Sequence, residues 1–114
     1  MGSPEKDLVW LHGRITTPPF TQAARVEAGL LLRKLQGGER LSMPHSRPMP
    51  SIGPGCHELR IRDQDATWRI FYFIDSDAIV LLDVTDKKTR ETPPRTLQTC
   101  RARLTKYKLD RASR

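Results

Sequence analysis

The sequence predicts an α+β fold in the order β-α(α)-β-β-β-α: an antiparallel meander sheet, helices packed on one of its faces, and a basic C-terminal helix. Three observations predict it. Residues 56–85 contain three apolar, β-branched and aromatic runs separated by turn sequences of hairpin length. Residues 20–35 repeat apolar side chains at helical spacing, and residues 97–107 do so again behind a Thr-Pro-Pro start. At 114 residues the chain is long enough for one domain with a modest core. We therefore expect a single domain over 1–114, with 1–6 and 110–114 as flexible ends.

Leu8-Val9-Trp10-Leu11, bounded by Gly13, reads as the first strand. Thr16-Thr17-Pro18-Pro19 then offers a cap and helix-starting prolines for a helix bearing Phe20, Ala24, Leu31 and Leu35, which Gly37-Gly38 stops. Gly29 inside that helix costs roughly 1 kcal/mol relative to alanine, which predicts either close packing there or a break into two helices. Residues 43–55 hold four prolines and two glycines, and read as a connecting loop. Strands are expected over about 56–62, 67–75 and 78–85, joined by Asp63-Gln64-Asp65 and Asp75-Ser76-Asp77. The last helix should begin near Thr92-Pro93-Pro94 with Thr92 as its N-cap, burying Leu97, Cys100, Leu104 and Tyr107.

Alternation along a strand then sorts the side chains. His57, Leu59 and Ile61 share the helix-facing side of the first meander strand, and Cys56, Glu58, Arg60 and Arg62 share the side expected to be open. In the third, Val80, Leu82 and Val84 form the core set. Arg69 interrupts the middle of a strand that is otherwise apolar on both sides. A charge there needs a carboxylate or a phosphate. Either Arg69 pairs internally with Glu58 or Asp83, or it joins Arg60, Arg62 and Lys87 in a cationic face for a phosphate backbone. Both can hold. The prediction is that Arg60 and Arg69 open on the same side of the sheet, away from the first helix.

Other chemistries find little support. Cys56 and Cys100 stand without a CxxC or a Cys/His cluster and read as packed, reduced thiols. His12, His45 and His57 are too scattered for a metal site. No run approaches the roughly 18 apolar residues of a membrane span, and no secretory pattern opens the chain, so a cytosolic protein without a membrane partner is expected. The net charge of +7 is unevenly distributed: residues 1–86 carry 10 Lys/Arg against 11 Asp/Glu, and residues 87–114 carry 10 against 2. A basic end of this kind fits a polyanion, a solvated helix face or an acidic protein partner.

Several short motifs follow one another along the chain: Thr17-Pro18-Pro19-Phe20, the helix end Leu31 to Glu39, Glu58-Leu59-Arg60, Trp68-Arg69-Ile70-Phe71-Tyr72, Lys87-Lys88-Thr89, and Pro93 before the final helix. From about Val9 to Tyr107 the chain resembles the phage-derived Gp49-like branch of the RelE/HigB toxin superfamily. The resemblance implies a RelE-like fold and the toxin of a type II toxin–antitoxin system. Such a toxin is a ribosome-dependent mRNA endoribonuclease, active in the bacterial cytoplasm and silenced by a helix-turn-helix, HigA-like antitoxin. It implies no cofactor: attack of the RNA 2′-OH on the adjacent phosphate is metal-free, with cations stabilising the charge that develops.

By this resemblance Arg69 matches the catalytic strand arginine, Lys88 or its neighbour Lys87 the basic residue after the last strand, and Arg60 the arginine of the Glu-Leu-Arg motif. The basic residues Arg62, Arg90, Arg95, Arg101, Arg103 and Lys106 are expected to contact RNA. Thr85 stands where the branch commonly has phenylalanine, and Pro94 where the best-known members have a catalytic tyrosine. The general base is therefore open between Glu58 and His57. Two other functions fit the same scaffold: a toxin that inhibits DNA gyrase by protein contact, and a catalytically inactive phage-derived module that binds nucleic acid or a partner helix.

Overall fold

Among the described residues, two helices and five strands follow one another as β1 (Asp7–Trp10), α1 (Gln22–Gln36), β2 (Ser46–Pro48), β3 (Cys56–Arg62), β4 (Thr67–Ile74), β5 (Ala78–Asp86) and α2 (Pro94–Ala112). The structure, a computed structural model, describes residues 5–11, 20–64, 66–86 and 91–113. The strands form one mixed sheet in the order β1-β5-β4-β3-β2, with β1 parallel to β5 and every other pair antiparallel. The expected meander is β3-β4-β5, but it is not the whole sheet. A short strand emerges from the segment read as a loop, and the first strand adds a parallel edge.

The helices pack on opposite faces, not on one. On one side Ala24, Ala28, Leu31, Leu32 and Leu35 of α1 meet Leu59, Ile61, Ile70, Tyr72, Ile79 and Leu81. On the other, Cys100, Leu104 and Tyr107 of α2 meet Phe71, Ala78, Val80 and Leu82, with Met49 and Ile52 from the loop between β2 and β3 completing the cluster. The reason lies in β4 and β5, which are apolar on both sides, so each face needs a covering layer. A bulge also breaks the alternation: Phe71 stands opposite Asp83, but Tyr72 stands opposite Leu81. Val84 consequently packs with the α1 cluster instead of joining Val80 and Leu82 on the α2 side.

Helix α1 starts later than its proline pair predicted. Thr21 is the N-cap, its hydroxyl accepting from the Ala24 amide at 3.2 Å. The cap expected at Thr16-Thr17 lies outside the described residues. Asp63, in the turn after β3, accepts from both the amide (3.0 Å) and the hydroxyl (2.7 Å) of Thr21 and from the Trp68 indole (3.2 Å). Gly29 neither breaks the helix nor packs closely, since a Cβ added there would meet nothing within 4 Å. Gly37 and Gly38 end it as expected, Gly38 at φ +89° in the left-handed region that glycine enters freely.

Helix α2 begins at Pro94 without a side-chain cap, and it buries Thr96 together with Cys100, Leu104 and Tyr107. The helix continues to Ala112. Tyr107 donates to Asp75 Oδ2 at 2.7 Å, and Arg111 pairs with Asp77 at 2.8 Å, which ties this end to the β4–β5 turn.

Candidate functional site

The pairing register places the polar residues of the α2 face in rows. Arg47 of β2 stands opposite Glu58 of β3, which stands opposite Phe71 of β4; one step along, Arg60 stands opposite Arg69, and Arg69 opposite Thr85 of β5. Phe71 belongs to the cluster under α2, so these rows border that cluster on the β2–β3–β4 part of the sheet. Their side chains converge on one carboxylate. Arg69 donates through Nε to Glu58 Oε2 at 2.5 Å and pairs with the same oxygen through Nη2. Arg60 donates through Nε to Oε1 at 2.7 Å. The Nε of Arg47 is buried and pairs with Oε1 at 3.3 Å without being aligned for a hydrogen bond.

Burial divides this cluster. The Glu58 and Arg69 side chains are 0% and 2% exposed, whereas those of Arg60 and Arg47 are 21% and 35% exposed. Arg69 does share a side with Arg60, away from α1, as expected. It is not open there. Its guanidinium sits 5.2 Å from the Phe71 ring centroid, and its Nη2 donates to the Thr92 hydroxyl at 2.6 Å. The expected N-cap of α2 is thus an acceptor for Arg69 instead. Of the two internal partners foreseen for Arg69, Glu58 is the one used. Asp83 lies 3.4 Å from Arg103.

Burial acts on the Glu58 carboxyl to raise its pKa. The hydrogen bonds from Arg60 and Arg69 and the charges of Arg69 and Arg47 outweigh it, holding the group below the usual carboxylate range. Glu58 is therefore ionised at neutral pH, and its oxygens are occupied. His57, the other candidate base, lies on the opposite face, stacked on Tyr72 with ring centroids 5.4 Å apart, and burial lowers its pKa. The sheet separates it from the arginines.

The remaining site residues scatter. Lys87, Lys88 and Arg90 lie outside the described residues. Arg62, Arg95 and Lys106 are exposed. Arg101 donates to the Ser51 carbonyl at 2.7 Å, and Arg103 to the Leu82 carbonyl at 2.6 Å, so both bind the chain's own backbone. Burial pushes the thiols of Cys56 and Cys100 up to about 11 and about 12, far from nucleophilic at neutral pH. Arg47 is the cluster member that the sequence did not reveal. Three strand residues inside a proline-rich segment carry too little periodicity to be recognised.

Among the described residues, no helix is long and apolar enough to cross a membrane. Compared with known proteins, the chain is matched over residues 19–105 by the family model described as "Phage derived protein Gp49-like". No curated protein matches it.

Proposed function

The chain belongs to the phage-derived Gp49-like family, and on that footing we propose that it is the toxin of a type II toxin–antitoxin pair, an endoribonuclease acting on mRNA at the ribosome. A helix-turn-helix antitoxin of the HigA kind would hold it inactive. The observation that supports this most is the convergence of Arg47, Arg60 and Arg69 on a single carboxylate, which leaves the patch with excess positive charge beside a basic helix.

The chemistry needs such a patch. The RNA 2′-oxygen attacks the neighbouring phosphorus, the bond to the 5′-oxygen breaks, and the products are a 2′,3′-cyclic phosphate and a 5′-hydroxyl. The 2′-proton leaves to a base, and the departing 5′-oxygen takes up a proton. Charge accumulates on the phosphorane in between, where a fixed guanidinium stabilises it without needing to reorganise. Arg60, partly exposed, is the described arginine of the proposed catalytic set that can reach a phosphate. Arg69 acts behind it as a positioning residue, since it holds Glu58, which in turn holds Arg60. Lys87 and Lys88 follow β5, whose Thr85 stands opposite Arg69, and they are proposed to meet the leaving oxygen. Neither Glu58, with both oxygens taken, nor His57, on the far face, is placed to accept the 2′-proton. Charge stabilisation is what the described residues offer.

The mutual neutralisation of Arg69 and Glu58 favours a second reading, in which the pair is structural and the module stops growth by binding, to DNA gyrase or to nucleic acid, without cutting. Translating ribosomes incubated with the purified chain separate the two. We expect cuts within the mRNA bearing 2′,3′-cyclic phosphate ends, reduced on the order of 10²-fold or more in a folded Arg60→Ala protein. Intact mRNA, with growth still arrested in cells, would leave the binding reading standing and remove the nuclease.

A further inference from the structure

Arg47 belongs to this patch but has no role of its own in the proposed chemistry, and its position is unusual. Glu58 is its direct cross-strand partner, and it brings a third guanidinium to a carboxylate whose two oxygens already accept from Arg60 and Arg69. Its Nε is buried 3.3 Å from Oε1 and without a hydrogen bond, while 35% of the side chain remains accessible to solvent. One carboxylate balances one of these three charges. The charge on Arg69 is sunk at 2% exposure, so the excess is presented by the two outer arginines, Arg47 and Arg60, on adjacent strands.

Planar guanidinium forks suit the oxygens of a phosphodiester, which accept two or more charge-assisted hydrogen bonds at once. Strand pairing fixes the two backbones, a hydrogen bond to Glu58 fixes the Arg60 Nε and an ion pair at 3.3 Å holds the Arg47 Nε near the same oxygen, so the freedom left to lose on binding is reduced. We propose that Arg47 and Arg60 form a two-pronged clamp for one phosphodiester of a single-stranded RNA, with Glu58 as the internal anchor of both prongs. The proposal deepens the ribonuclease reading, and it assigns Arg47 to substrate binding.

The test uses an oligoribonucleotide methylated at every 2′-oxygen, which binds but cannot be cut by 2′-OH attack. Its affinity for the full chain is followed by fluorescence anisotropy over a salt series. The expected result is that Arg47→Gln and Arg60→Gln each weaken binding by about tenfold at low salt, the order expected when a charge-assisted contact is lost. Their double variant should make the salt slope shallower by about 0.7, one phosphate's share on a single strand. Arg47→Lys keeps the charge but not the fork, so it should retain the slope and recover only part of the affinity. Arg25→Gln on α1, on the opposite side of the sheet, should bind as the unaltered protein does.

Affinity and slope unchanged in a folded Arg47→Gln protein would overturn the clamp, even if the ribosome assay shows cutting. An Arg47-dependent slope in a protein that cuts nothing would retain the clamp and remove the nuclease. Failure of the unaltered chain to bind the oligonucleotide overturns the clamp outright.

Discussion

Removing the Glu58 carboxylate would strand three guanidiniums at once, one of them buried at 2% exposure, whereas removing Arg69 would leave the carboxylate with Arg60 and Arg47. Breaking a buried pair from the side that leaves an uncompensated charge costs about 3–5 kcal/mol. Glu58→Gln is expected to fall in that range. Arg69→Met, which leaves the carboxylate partnered and supplies apolar volume beside Phe71, should cost about half as much. Urea unfolding measures both, and equal losses would contradict the view that Glu58 anchors the cluster. The need for such a pair was legible in the sequence, because an arginine inside an apolar strand must find an anion. Its degree of burial was not legible, since that depends on Thr92 and on residues brought in from distant parts of the chain.

At the scale of elements, α1 is fastened to the β3–β4 turn by one carboxylate. The Thr21 amide and hydroxyl, followed by the Gln64 amide and the Trp68 indole, bring the Asp63 pKa down to about 2 from its ordinary 3.8. A depressed carboxylate stabilises the fold above its unfolded pKa, and the contribution is lost as pH falls from about 3.8 towards about 2. Glu58, also lowered, adds in the same direction. Urea midpoints at pH 7, 5 and 3 should therefore drop steeply between the last two, and less steeply in Asp63→Asn. An identical acid dependence in that variant would discount the link. Turn and stop signals marked several boundaries well: Gly37-Gly38 ends α1, and residues 63–66 join β3 to β4. Caps were harder to read. Thr92 has the right chemistry to cap α2, but Arg69 competes for its hydroxyl, and only the folded chain brings the two together.

Across the whole molecule, two described arginines of the basic end already donate to the chain's own backbone. Arg103, half-buried, donates to the Leu82 carbonyl and Arg101, exposed, donates through Nε to the Ser51 carbonyl, while Arg95 and Lys106 are exposed. If α2 contacts RNA, replacing Arg95 and Lys106 by glutamine should reduce the salt slope of binding by about 0.7 for each phosphate lost and leave the Tm unchanged. Arg103→Gln should lower the Tm, and the converse pattern would place the RNA elsewhere. By itself the sequence determined the α+β class, the meander over 56–85, the two amphipathic helices and the family resemblance, because periodicity and turn chemistry are local properties written in consecutive residues. Only the tertiary structure decided that the helices take opposite faces, that β1 runs parallel to β5, that a bulge turns Val84 to the α1 side, and that Arg47 joins Glu58. Each of these is a choice among partners far apart in the chain, settled by which faces must be buried and which charge must be met.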